Sequence, residues 1–159
     1  MFTKEEMVQR TYTSILNHLV QTGRAPHYTE LGGILGVGPE EARDLQREAA
    51  KAGVGCWFVQ DTDYIESWAP FYNVPTQYHV TVAGEQKWYG QCGLEVLAVR
   101  WLFPGTEVRI DTHCLDCGEA ILIRMRDEEI LQVDPPTTVG HMNVPLSKVY
   151  AGEVPARFA

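Results

Sequence analysis

Trp88-Tyr89-Gly90-Gln91-Cys92-Gly93-Leu94-Glu95-Val96-Leu97 is the stretch on which the reading of this chain turns. Its aromatic opening suits a strand. Leu94, Leu97, Ala98, Trp101 and Leu102 then recur at helical spacing until Pro104-Gly105, which predicts a helix over 91–103. Cys92 therefore falls where a strand passes into a helix. Unpaired N–H groups and the helix dipole favour an anion there, so its thiol pKa is expected to fall. Glu95 follows three residues on, one turn along the same side. A thiolate beside a proton-carrying carboxyl is suited to protonolysis. The same spacing equally describes a small buried residue beside a capping or solvated carboxylate.

Downstream, Val108, Ile110 and Thr112 alternate as a strand, and His113-Cys114-Leu115-Asp116-Cys117-Gly118 turns the chain into a second strand, Ala120 to Met125. Two thiols two residues apart on a glycine turn make half of a zinc knuckle. Completing a tetrahedral site would take Cys92, His113, or the more distant Cys56, His79 and His141. His113 reads first as a strand residue, and Cys56 in Cys56-Trp57-Phe58 reads as packing. Trp88, Tyr89 and Trp101 read as core and pocket walls. Soft-metal binding, covalent catalysis and a redox pair all remain open on these residues. Beyond Asp127 one short strand near Leu131-Gln132-Val133 precedes Pro135-Pro136, and the tail has little periodicity.

Upstream, Tyr78, Val80 and Val82 alternate, and Ala83-Gly84-Glu85 turns the chain towards Lys87-Trp88-Tyr89. Ala69-Pro70 to Pro75 reads as a linker. Before it, Met7, Val8, Tyr12, Ile15, Leu16, Leu19 and Val20 mark a first helix ended by Gly23. Thr29 is expected to cap a second helix carrying Leu31, Ile34 and Leu35. Pro39 opens a third that Gly53 closes. Cys56–Val59 and Tyr64–Trp68 form a hairpin. Three helices and a hairpin predict a winged-helix-like module over 1–70, with a small mixed or antiparallel sheet and one helix over 76–159: an α+β protein.

The chain's 159 residues suffice for one domain or a small helical module fused to a mixed one. Its net charge of −8, with no clustered basic stripe, argues against nucleic acid and anionic membranes as partners. In the third helix Glu40, Glu41, Asp44 and Glu48 outnumber Arg43, Arg47 and Lys51, which would repel DNA phosphates. No apolar run reaches the roughly 18–20 residues of a membrane span, and no secretory leader is read at Met1-Phe2-Thr3, so the cytoplasm is the expected location. Four cysteines in that compartment are read as reduced thiols that bind or react.

The stretch from His79 to about Ile130 resembles the organomercurial (alkylmercury) lyase family. The resemblance rests on His79-Val80 with its following turn, on Trp88 to Leu97 with Cys92-Gly93-Leu94-Glu95, and on Val108-x-Ile110-x-Thr112-His113-Cys114. The family joins a winged-helix-like module to such a core. It uses one cysteine to capture mercury, an aspartate to deliver a proton to carbon, and a second cysteine nearer the C-terminus to share the metal. The resemblance matches Cys92 to the first cysteine, Glu95 to the aspartate, and Cys114 to a structural cysteine. Glu95 is one methylene longer than aspartate, and no cysteine follows Cys117 within these residues.

The expected activity is protonolysis of a carbon–mercury bond. Cys92, Glu95 and Cys117 are the catalytic candidates; Cys92, Cys114 and Cys117 are the metal candidates, provided their sulfurs lie within about 5 Å. No organic cofactor is expected. Hg(II) is substrate and product metal, with Zn(II) as a second candidate, and the partners are a small organometallic or other soft electrophile and low-molecular-weight thiols. Two other expectations stand beside this one: a non-catalytic metal–thiolate protein for zinc, copper or mercury, and a lyase-like scaffold recruited to other thiol chemistry.

Overall fold

A computed structural model describes residues 2–141 together with 144, 145, 147, 148, 151 and 153. Val149, Tyr150 and Gly152 of the tail lie outside the described residues. Three α-helices come first: α1 (Lys4–Thr22), α2 (Tyr28–Leu35) and α3 (Pro39–Ala52). Thr3 and Glu6 form a reciprocal capping box on α1, and Gly23 ends it at φ 79°. The cap of α2 is His27 rather than Thr29: the His27 side chain accepts from the Thr29 N–H while Glu30 reaches back to the His27 backbone. An imidazole nitrogen can do the work of the hydroxyl oxygen expected there.

Eight strands follow: β1 (Cys56–Phe58), β2 (Ile65–Trp68), β3 (Phe71–Tyr72), β4 (His79–Val82), β5 (Glu85–Gly90), β6 (Val108–His113), β7 (Ala120–Arg126) and β8 (Glu129–Asp134). They form one antiparallel sheet in the order β1-β2-β3-β5-β4-β6-β7-β8. The stretch read as a linker is part of this sheet. Phe71 is buried, and β3 joins β2 to β5 through Ser67↔Tyr72 and Phe71↔Gly90. The helices are fastened across the same boundary. The Trp88 indole N–H crosses it to the Leu19 carbonyl at 2.7 Å, while within the first segment that of Trp68 donates to the Tyr12 carbonyl at 3.3 Å. Ile15, Leu19, Leu31, Trp68, Phe71, Val80, Val99 and Ile110 belong to one core. The two segments on either side of residues 70–76 thus share a sheet and a core.

The expected α-helix over 91–103 is a 3-10 helix over Glu95–Leu102. With about three residues per turn, its buried face is spaced by three. Val96 and Val99 are buried, and Leu102 packs against the core. The α-helical spacing had selected Leu94 and Trp101, which are 51% and 58% exposed. Trp101 is therefore no pocket wall; the Arg100 guanidinium lies over its ring at 4.7 Å. Among the described residues no helix is long and apolar enough to cross a membrane.

Candidate active site

Cys92 sits in the short connection between β5 and the 3-10 helix, and Gly90 makes that connection possible. A Cβ at Gly90 would stand 2.4 Å from Val96 Cγ2, so only a glycine lets the helix fold back over the strand end. The Gln91 N–H donates to the Pro70 carbonyl at 3.0 Å, and the Val96 N–H to the Cys92 carbonyl at 3.0 Å. These bonds fix the backbone on both sides of the thiol.

Cys92 Sγ accepts the Glu95 N–H at 3.4 Å, and its S–H points at Glu95 Oε2 3.6 Å away. The spacing read from the sequence thus becomes a direct thiol–carboxyl contact. The expected drop in the thiol pKa does not occur. Cys92 precedes the helix instead of opening it, and burial pushes its pKa up, against the N–H bonds from Glu95 and Leu94 that pull it down. Burial also raises the pKa of Glu95, with the Cys92 hydrogen bond opposing it. The resting pair is a neutral thiol beside a carboxyl that holds its proton more tightly than usual.

Cys56 packs against the core, as read from its apolar run, and also lies near enough to this pair to feel it. It begins β1 just after the Gly53-Val54-Gly55 turn, close enough to Glu95 for the two charges to interact. Its thiol is pushed up to about 11, chiefly by burial. The Ala69 N–H and the Tyr12 hydroxyl hydrogen-bond to its sulfur, and Tyr12 is itself pushed up to about 12 by burial and by Cys56 and Glu95. Gly55, at φ 71°, marks how tightly the pieces meet. A Cβ there would lie 2.7 Å from Gln91 Oε1, 2.9 Å from Ala69 Cβ and 3.0 Å from Glu95 Oε1. Glu95 thus has Cys92 against one carboxyl oxygen and the backbone that carries Cys56 against the other. Gln91 Oε1 is buried here with no hydrogen-bond partner among the described residues. The sequence signal for Cys56 was its pair of nearby glycines, which mark a close backbone approach.

Cys114 and Cys117 are not part of this cluster. His79 pairs with both Tyr89 and Asp111, so β5 and β6 end on the same side of the sheet with β4 between them. Two strand spacings separate them by roughly 10 Å, and the β6–β7 hairpin carries its cysteines further outward. Among the described residues no three His, Cys, Asp or Glu side chains are grouped closely enough to hold a metal ion. The three-sulfur site expected from Cys92, Cys114 and Cys117 is therefore not assembled, and the zinc knuckle has no second pair. His79 packs edge-on against Tyr89, with ring centroids 5.4 Å apart.

The geometry thus places a neutral thiol and a carboxyl of raised pKa in direct contact beside the end of β5. The profile of the alkylmercury lyase family matches residues 71–154. Alkylmercury lyases of Bacillus cereus and Clostridium butyricum are each 36% identical over 69 residues. That match takes in 42% of this chain and 29% of theirs, so it spans less than a third of the relatives' length. The crystal structure of the mercury-bound form of MerB2 shares the fold, with a TM-score of 0.58 at 15% identity over 82% of this chain and 68% of that one. The chain belongs to the alkylmercury lyase family.

Proposed function

We propose that this protein cleaves the carbon–mercury bond of a small organomercurial by protonolysis. The contact between Cys92 Sγ and Glu95 Oε2, at 3.6 Å in a half-buried setting, carries the reading. An alkylmercury ion arrives bound to a low-molecular-weight thiolate. Cys92 sulfur displaces that thiolate and passes its own proton to the Glu95 carboxylate, whose burial favours the protonated form. The carbon–mercury bond then breaks with both electrons on carbon, and Glu95 returns the proton to that carbon as hydrocarbon leaves. Hg(II) stays on the Cys92 thiolate until solution thiols remove it.

Sulfur is the matching ligand for mercury, and a second one strengthens electron donation into the metal. Cys56, the other thiol that interacts with Glu95, is the candidate to supply it. Glu95 serves here despite its extra methylene because its carboxyl is held between Cys92 and the Gly55 turn.

Anaerobic incubation with an alkylmercury compound and excess monothiol, with headspace hydrocarbon measured, tests the proposal. Wild type should release one hydrocarbon per substrate consumed, while Cys92→Ser and Glu95→Gln should each lose release. No release by wild type, or release that survives both substitutions, would refute it.

A further inference from the structure

We propose that the hairpin between β6 and β7 is a second, separate metal site, in which Cys114 and Cys117 chelate one soft d10 cation, Hg(II), through two thiolates. The two thiols lie three residues apart on one turn between β6 and β7, close enough for their side chains to interact. The turn that makes this possible is closed by two backbone bonds, Cys114 N–H to the Glu119 carbonyl at 2.8 Å and Gly118 N–H to the Cys114 carbonyl at 2.9 Å. Gly118 adopts φ 75°, which a glycine takes without strain.

The loop is open to its surroundings. Cys117 is exposed, Cys114 is partly so, and Leu115 between them is 80% exposed. The donor count then selects the cation. Among the described residues no third Cys, His, Asp or Glu completes a metal group, so a cation that demands four protein ligands is poorly served. One satisfied by two sulfurs is well served. Resting on the function proposed above, the hairpin takes up Hg(II) that solution thiols have removed from Cys92. The exchange is balanced: two cysteine thiolates replace two monothiolates on the metal, and no redox step occurs.

The test uses the whole chain, reduced and anaerobic, with Hg(II) alone as the probe. Cys56→Ser/Cys92→Ser protein, whose remaining thiols are Cys114 and Cys117, is loaded with Hg(II), challenged with monothiol, desalted and weighed by mass spectrometry. Chelation by two linked thiols should hold one Hg(II) per chain against monothiol up to roughly millimolar, the effective concentration of a short tether. Adding Cys114→Ser/Cys117→Ser should remove it. A protein that retains none, or that retains one Hg(II) per two chains, overturns the proposal. Cys114→Ser/Cys117→Ser in the otherwise wild-type chain guards against loss of folding in the first variant: it should retain one Hg(II) fewer than wild type, and an unchanged count overturns the proposal. The titration contains no carbon–mercury bond, so failure of lyase activity leaves its outcome readable, and hydrocarbon release by this second variant is expected to persist.

Discussion

Gly55→Ala should damage the site without touching a reacting atom, and Gly84→Ala supplies its control. Both glycines have positive φ, 71° and 82°, and an alanine in that region costs about 1–2 kcal/mol. For a protein of this size each kcal/mol lowers the melting temperature by roughly 2–4 °C. Gly84 has nothing within 4 Å of the added Cβ, so that backbone penalty is its whole effect. At Gly55 the methyl would press on Gln91 Oε1 at 2.7 Å and Glu95 Oε1 at 3.0 Å, well inside normal contact. The flexible carboxyl must move, and it moves relative to a sulfur only 3.6 Å from its other oxygen. A displacement approaching 1 Å at a reacting group costs about 100-fold in rate. The assay pairs thermal unfolding with hydrocarbon release for both variants. Gly84→Ala should lose a few degrees and keep its rate; Gly55→Ala should lose at least as much stability and about 100-fold in rate. Equal rates in two folded variants would show that the carboxyl's position is irrelevant, and the reasoning would fail.

Other consequences are open to separate measurement. At neutral pH iodoacetamide should modify Cys114 before Cys92 or Cys56, because backbone N–H groups lower the first thiol and burial raises the other two; peptide mapping that finds Cys92 modified first would contradict the assignment. Glu95→Gln should gain stability relative to wild type as pH rises. A carboxyl whose folded pKa is raised favours folding while protonated and opposes it once ionised, so the advantage should be small near pH 4 and grow through the folded pKa. Denaturant midpoints at pH 4 and 7 check this, and a difference that shrinks with pH would reverse the sign. Cys56→Ser should slow hydrocarbon release by about tenfold, on the order of 1.4 kcal/mol, without removing it; an unchanged rate would exclude Cys56 from the reaction.

Much of the fold was legible because its signals are local. The three helices and the strand pairs around Ala83-Gly84 and Cys114–Gly118 follow from period and turn residues, while the choice between a mixed and an antiparallel sheet was left to the structure. β3 was hidden because two residues cannot show a period, and its strand character comes from pairing with Tyr89 and Gly90. The 3-10 helix was misread because Leu94 and Trp101 fit the α-helical spacing that tertiary packing then overrode. Cys92 and Glu95 could be paired from sequence, being three residues apart. Cys56 could not: 36 positions separate it from Cys92, and only the approach of the Gly55 turn to the Glu95 side chain brings it near. The expected triad with Cys114 and Cys117 erred for the matching reason, since order along the chain says nothing about the strand lying between.

The most direct measurement is the fate of the organic group on Glu95→Gln protein in the Cys114→Ser/Cys117→Ser background, followed by intact mass and peptide mapping after one equivalent of an alkylmercury compound. The account predicts that this protein captures the intact alkylmercury group on Cys92 and keeps it, with no hydrocarbon in the headspace, while the same background with Glu95 restored loses the alkyl mass as hydrocarbon appears. Hydrocarbon release at the same rate without the Glu95 carboxyl, or capture that maps away from Cys92, would contradict it.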